Sequence, residues 1–218
     1  INGADNGRPM PGQSCCQRLV PRYFDASARI SEMSYIYDFS NIQCLVVDDN
    51  RHMRILVKTI LHSLGVKAVR EAEDGADALK ELAAFPADLA IVDWLMDPLD
   101  GLDFVRLVRT ASDSTNPFLP IIMLTGHTET HRIIEAREAG VNEFLAKPIS
   151  AKALCQRILE IIERPRPFVR GGGYFGPDRR RAKDSAYKGT ERRASELAKL
   201  TEAEEGLSQA EIESLLEG

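Results

Sequence analysis

Three observations predict an α/β fold built on a parallel sheet covered on both faces. First, four apolar runs each stop abruptly at a polar group. Cys44-Leu45-Val46-Val47 ends at Asp48-Asp49, Leu89-Ala90-Ile91-Val92 at Asp93, Ile121-Ile122-Met123-Leu124 at Thr125, and Phe144-Leu145-Ala146 at Lys147-Pro148. Runs of this kind read as strands buried on both faces. Second, segments with apolar residues at three- and four-residue steps alternate with these strands. Third, the connections are short, which implies right-handed crossovers between parallel neighbours. The expected fold is a (βα)5 flavodoxin-like, doubly wound parallel sheet of order 2-1-3-4-5, with extended N- and C-terminal tails.

Residues 1–37 carry scattered Gly, Pro and polar residues without periodicity. Met33-Ser34-Tyr35 reads as a native start, which would make residues 1–32 an upstream segment. Disorder, or at most a short helix, is expected over 1–40, and a folded domain over 41–163. The first strand, 42–47, leads into a helix over about 50–64 whose apolar positions are Met53, Leu56, Val57, Ile60, Leu61 and Leu64, stopped by Gly65. The second strand, 66–72, leads to Asp74, the N-cap of a helix running to Ala84. The third strand ends at Asp93, and Asp100 caps a helix over 101–109 that buries Leu102, Val105 and Val108. After a Ser/Asn/Pro-rich loop, 111–120, come the fourth strand, 121–124, and a helix over about 128–139 closed by Gly140. A short fifth strand, 143–145, precedes the last helix, capped by Ser150 and running to about Glu163.

The chain has 218 residues, 44% hydrophobic and 28% charged, with a formal net charge of -5. Roughly 120 residues suffice for a self-supporting core. The cysteines, Cys15, Cys16, Cys44 and Cys155, show neither a disulfide framework nor metal-ligand spacing, which fits a reducing, cytoplasmic compartment. No run approaches the ~18 apolar residues of a membrane span, and the N-terminus lacks the order of a signal peptide. After Glu163 there is no helix-turn-helix pattern, which argues against a DNA-binding transcription factor.

The predicted strand order sets strands 1 and 3 side by side, so Asp48, Asp49 and Asp93 converge at the carboxyl end of the sheet, where such folds bind ligands. An acid after a strand also serves as a helix cap, the plain alternative for each one alone. Together they repel, and a hard divalent cation with oxygen ligands relieves that repulsion; Mg²⁺ takes one or two carboxylates, waters and a phosphate.

The ordered set Asp-Asp, Asp, Thr, Lys-Pro, with the stretch VVDDNRHMRILVKTIL, resembles the receiver domain of two-component response regulators, the chemotaxis CheY type, over about residues 41–163. The resemblance implies Asp93 as the acceptor of a phosphoryl group from a sensor histidine kinase or phosphotransfer protein. It implies Mg²⁺ held by Asp49, Asp93 and the backbone carbonyl of Leu95, with Asp48 acting through water. It further implies that Lys147 stabilises phosphoryl charge, that the Lys147–Pro148 peptide is cis, and that Thr125 draws its loop inward while the aromatic Phe144 moves. Phosphorylation would thereby bias a surface formed by the fourth helix, fifth strand and fifth helix. The chain departs from the family at Asp97, where proline usually stands; here the proline is Pro98. Leu95 and His127 fall at positions that influence phosphoryl hydrolysis, and an apolar Leu95 cannot orient water. Slow self-dephosphorylation is therefore expected, in a carrier of phosphate rather than an enzyme.

Prolines 165 and 167 forbid a continued helix, and residues 164–205 are expected to be a largely disordered linker, basic and then acidic. Residues 164–193 carry ten Lys/Arg against three acids and repeat Tyr174-Phe175-Gly176-Pro177-Asp178-Arg179-Arg180 as Tyr187-Lys188-Gly189-Thr190-Glu191-Arg192-Arg193. This is a solvated basic arm or, since guanidinium groups pair with phosphates and guanine edges, a nucleotide site. The second reading resembles the arginine-rich tails of CheY-like cyclic-di-GMP effectors and nominates Arg170, Arg179, Arg180, Arg181, Asp184, Arg192 and Arg193. In 206–218, Ser208 and Glu211 form a capping box, Leu207 and Ile212 a staple, and Ile212, Leu215 and Leu216 an apolar stripe. This short helix resembles the N-terminal peptide of the flagellar motor switch protein. It either docks on the receiver face near the fifth strand, in cis or on a neighbouring molecule, or mimics the switch protein at the flagellar motor switch, or frays without a partner.

Overall fold

The computed structural model describes residues 37–126 and 130–179. Strands β1 (Gln43–Val47), β2 (Ala68–Ala72), β3 (Leu89–Asp93), β4 (Ile121–Thr125) and β5 (Glu143–Ala146) form one sheet, all pairs parallel, in the order β2-β1-β3-β4-β5. This is the expected order. The connecting helices are α1 (Arg51–Ser63), α2 (Gly75–Ala84), α3 (Gly101–Thr110), α4 (Thr130–Ala139) and α5 (Ala151–Glu163). Asn50, Asp74, Asp100 and Ser150 cap four of them, each accepting a backbone N–H of the first turn.

Alternate residues of each strand serve opposite faces, and both faces are dry. Leu45, Val47, Ala90, Val92, Ile121, Met123 and Phe144 join side chains of α2, α3 and α4 in one core. Cys44, Val46, Leu89, Ile91, Ile122, Leu124 and Leu145 join α1 and α5 in the other. That double burial is why the strands read as unbroken apolar runs. Cys44 and Cys155 are buried free thiols in the second core.

The structure corrects three expectations. The fold begins before residue 41: Tyr37 and Phe39 stack, are buried on the α1/α5 side, and Tyr37 donates a hydrogen bond to Glu163. On α1, Leu56 is 42% exposed while Arg54 is 6% exposed, so a guanidinium occupies the inward stripe assigned to apolar side chains alone. Third, the start of the expected linker is folded. Strands β6 (Phe168–Gly171) and β7 (Tyr174–Pro177) pair antiparallel around Gly172 and Gly173, whose φ values are 56° and 82°. Positive φ at both central residues suits the tight turn that matches strand twist.

The hairpin packs on α4 and α3. Phe118, Phe168 and Phe175 form an aromatic trio with centroids 5.2–5.6 Å apart. Beneath them Arg109 is 3% exposed and donates to the carbonyls of Gly140 (3.0 Å) and Pro117 (2.8 Å) and to Asn142 Oδ1 (3.0 Å). Phe168 covers its guanidinium at 5.1 Å. Burial lowers the Arg109 pKa to about 9. These partners precede β4 and β5, so the hairpin sits at the end of the sheet opposite Asp93.

Candidate functional site

The carboxyl ends of β1 and β3 deliver three acids to one point. Asp48 is fully buried, its Oδ1 accepting the backbone N–H of Asn50 at 2.9 Å. Asp93 is 7% exposed and Asp49 is exposed. One carboxylate oxygen from each of Asp48, Asp49 and Asp93 lies within 4.8 Å of the others. From the end of β5, Lys147 Nζ reaches Asp93 Oδ1 at 2.8 Å and Asp48 Oδ2 at 3.4 Å. The Lys147 backbone N–H donates to the Thr125 carbonyl at 2.8 Å, which ties the ends of β4 and β5 together. The Lys147–Pro148 peptide is cis, as is Asp97–Pro98.

Electrostatics follow from this packing. Burial pushes the Asp93 carboxyl above the usual carboxylate range; the Asp48 charge adds to the rise, while Lys147 and the Trp94 N–H oppose it. For Lys147, burial disfavours the ammonium, but its bond to Asp93 and the charges of Asp93 and Asp48 outweigh that and raise its pKa. Three carboxylates against one ammonium leave the cluster net negative. A small hard cation suits that donor set.

Thr125 is fully buried at the end of β4. Phe144 is fully buried and shares its core with Ile133 and Ala136 of α4. Leu95 is half exposed, whereas Trp94 beside Asp93 is buried. Gly101 opens α3 hard against the β3 end: its N–H donates to Trp94 O at 2.9 Å, and a Cβ there would stand 2.1 Å from Asp93 O.

Two of the residues nominated for nucleotide binding are described, and both lie on the hairpin at the opposite pole. Arg170 lies over Phe175 at 4.8 Å; Arg179 lies over Tyr174 at 4.0 Å and pairs with Glu138 of α4 at 3.2 Å. Arg180, Arg181, Asp184, Arg192, Arg193, Leu207, Ile212, Leu215, Leu216 and His127 lie outside the described residues. Two features escaped the sequence reading. Arg54 stands behind the acid pair, and its signal was an arginine on the apolar stripe of α1. The hairpin's signal was Gly172-Gly173 between Phe-Val-Arg and Tyr-Phe. Among the described residues no helix is long and apolar enough to cross a membrane.

Comparison with known proteins agrees with this geometry. The chain is 37% identical over 124 residues to chemotaxis protein CheY-3 of Vibrio cholerae, covering 57% of this chain and 94% of that one. It is 38% identical over 123 residues to chemotaxis protein CheY of Pseudomonas aeruginosa, covering 56% and 98%. Among solved structures, Vibrio cholerae chemotaxis protein CheY4 matches with a TM-score of 0.51 and 31% identity, over 55% of this chain and 98% of that one. A putative response regulator from Chloroflexus aurantiacus matches with a TM-score of 0.51 and 30% identity, over 57% and 100%. The family description of the response regulator receiver domain matches residues 44–159, from β1 to the body of α5. With that match spanning the sheet, its crossovers and the acid cluster, the chain belongs to the response regulator receiver domain family.

Proposed function

We propose that this protein is a response regulator that accepts a phosphoryl group on Asp93 from a sensor histidine kinase or phosphotransfer protein, and passes the signal on through protein contacts in motility-type signalling. The observation that carries this reading is the Lys147 ammonium 2.8 Å from Asp93 and 3.4 Å from Asp48, inside a cluster of three acids. An Asp93 oxygen forms the new O–P bond as the N–P bond to the donor imidazole breaks. Lys147 stabilises the charge gathering on the phosphoryl oxygens. Asp49, Asp93 and the Leu95 carbonyl would hold Mg²⁺, with Asp48 through water, and the ion would offset the negative charge of acids and phosphoryl group. Thr125, at the end of β4, hydrogen-bonds a phosphoryl oxygen, and Phe144 transmits the change to the α4 side of the core.

The half-exposed apolar side chain of Leu95 supplies no group to orient an attacking water, so the phosphoryl group is lost slowly and the protein acts as a carrier. Partners at the output are the flagellar motor switch or the receiver's own face, reached through residues 206–218. The test is incubation with acetyl phosphate and Mg²⁺ followed by intact-mass measurement. The wild type gains one phosphoryl group that persists for minutes or longer, and the Asp93→Asn variant gains none. Equal labelling of the two proteins sinks the assignment of Asp93, and a lifetime of seconds sinks the role given to Leu95.

A further inference from the structure

Arg54 is 6% exposed on the inward face of α1. A guanidinium is costly to bury unless its hydrogen bonds and charge are met. Here Nη1 donates to the main-chain carbonyls of Asp48 (2.8 Å) and Asp49 (3.3 Å), and Nη2 pairs with Glu73 at 2.7 Å. Nε lies 3.6 Å from Glu71, which also holds Lys58 at 2.6 Å. The guanidinium thus takes the backbone of both acids and leaves their carboxylates to the site. Glu71 ends up there because β2 pairs with β1 in the register Val46↔Glu71 and Val47↔Ala72; Glu73 is the first residue beyond β2.

We propose that Arg54 is a positioning residue for the divalent cation. It rivets the last two peptides of the β1 end to β2, so that Asp49 is aimed at Asp93 before an ion arrives. The inference rests on the metal site proposed above. Asp49 is exposed, so packing does not hold its side chain, and its direction is set by the backbone that Arg54 grips. Two effects of the arginine have opposite signs. Its positive charge, taken alone, repels a divalent cation, so removing it would tighten binding. Its grip on the carbonyls prepays the ordering of the ligands, so removing it weakens binding. Glu73 and Glu71 face the guanidinium and offset its charge, which leaves the grip dominant.

The test is a MgCl2 titration of the full chain, followed by the fluorescence of Trp94, the lone tryptophan, which adjoins Asp93. Wild type, Arg54→Met, Arg54→Lys and Asp49→Asn are compared, each with its urea midpoint measured without Mg²⁺. Arg54→Met weakens Mg²⁺ binding about tenfold, the scale for groups that orient metal ligands. Arg54→Lys keeps the charge but loses the fork, and falls between Met and wild type. A purely structural arginine lowers the urea midpoint and leaves the Mg²⁺ affinity of the folded protein unchanged. Unchanged or tighter binding in Arg54→Met overturns the proposal; if that variant does not fold, an unchanged affinity in Arg54→Lys does so. Failure of the underlying metal reading looks different: wild type and Asp49→Asn then respond alike to Mg²⁺, and the inference falls with that reading.

Discussion

Replacing Gly101 by alanine tests how tightly α3 is built against the acceptor strand. The new Cβ would lie 2.1 Å from the Asp93 carbonyl oxygen, 3.1 Å from its carbon and 3.2 Å from Trp94 Cα. A carbon and an oxygen come to rest at about 3.3–3.6 Å, so α3 and the β3 end must part by more than an ångström. Backbone lies on both sides, and no rotamer change relieves the overlap. Parting them stretches the 2.9 Å hydrogen bond from Gly101 N to Trp94 O beyond bonding distance, a loss of about 1 kcal/mol. Overpacking adds about 1–3 kcal/mol, and the entropic gain of alanine over glycine returns at most about 1 kcal/mol. The sum is a destabilisation of about 2 kcal/mol, read as a lower urea midpoint of Trp94 fluorescence. Because the displaced peptide is that of Asp93 itself, its carboxylate shifts against Lys147. An ångström of misplacement costs about a hundredfold in rate, so acetyl phosphate labels the folded variant about a hundred times more slowly. A variant as stable as wild type and labelled at the same rate would show that the β3–α3 junction has slack, and the reasoning would be wrong.

Two further predictions concern the charge of the site and the docking of the hairpin. The Asp93 pKa is raised in the fold, chiefly by burial with Asp48 adding, so this group favours the folded state at low pH and loses that contribution as pH rises through the raised value. Without divalent metal, Asp93→Asn therefore raises stability at neutral pH, because it removes the charge that burial disfavours. The gain shrinks to nothing as pH falls below the ordinary carboxylate value; urea midpoints in chelator at the two pH values decide, and a less stable Asn variant at neutral pH refutes it. Phe175→Ala removes two aromatic contacts, to Phe118 and Phe168, each worth about 0.5–1.5 kcal/mol. The hairpin then opens more often, and trypsin cleaves after the exposed Arg170 about tenfold faster; cleavage at the wild-type rate would mean the trio does not hold it closed.

Much of the fold was legible because β1, β3, β4 and most of β5 are buried on both faces, so each reads as an apolar run ending where the chain meets the site. The edge strand β2, Ala68–Ala72, is by contrast half exposed and carries Arg70 and Glu71. The caps at Asp74, Asp100 and Ser150 were equally plain, since a short polar side chain ahead of a periodic segment answers a local need of the helix. Leu56 and Arg54 were harder. Their spacing admits either on the inward stripe of α1, and the choice turned on Glu71, Glu73 and the Asp48 and Asp49 carbonyls, which come from other elements. The hairpin was missed because Phe168 and Phe175 have nothing to bury against until Phe118 and Arg109 are assembled beneath them.

The sequence by itself determined the order of strands and helices, the polar group at each strand end and the residue types available for chemistry, because periodicity and capping are set by near neighbours along the chain. Only the tertiary structure decided that Lys147 closes to 2.8 Å of Asp93 and 3.4 Å of Asp48, that Arg54 stands behind the acids, and that the start of the basic tail folds back on α3 and α4. Those outcomes depend on distances between segments far apart in the chain, and such distances come into being only when the sheet closes and excludes water.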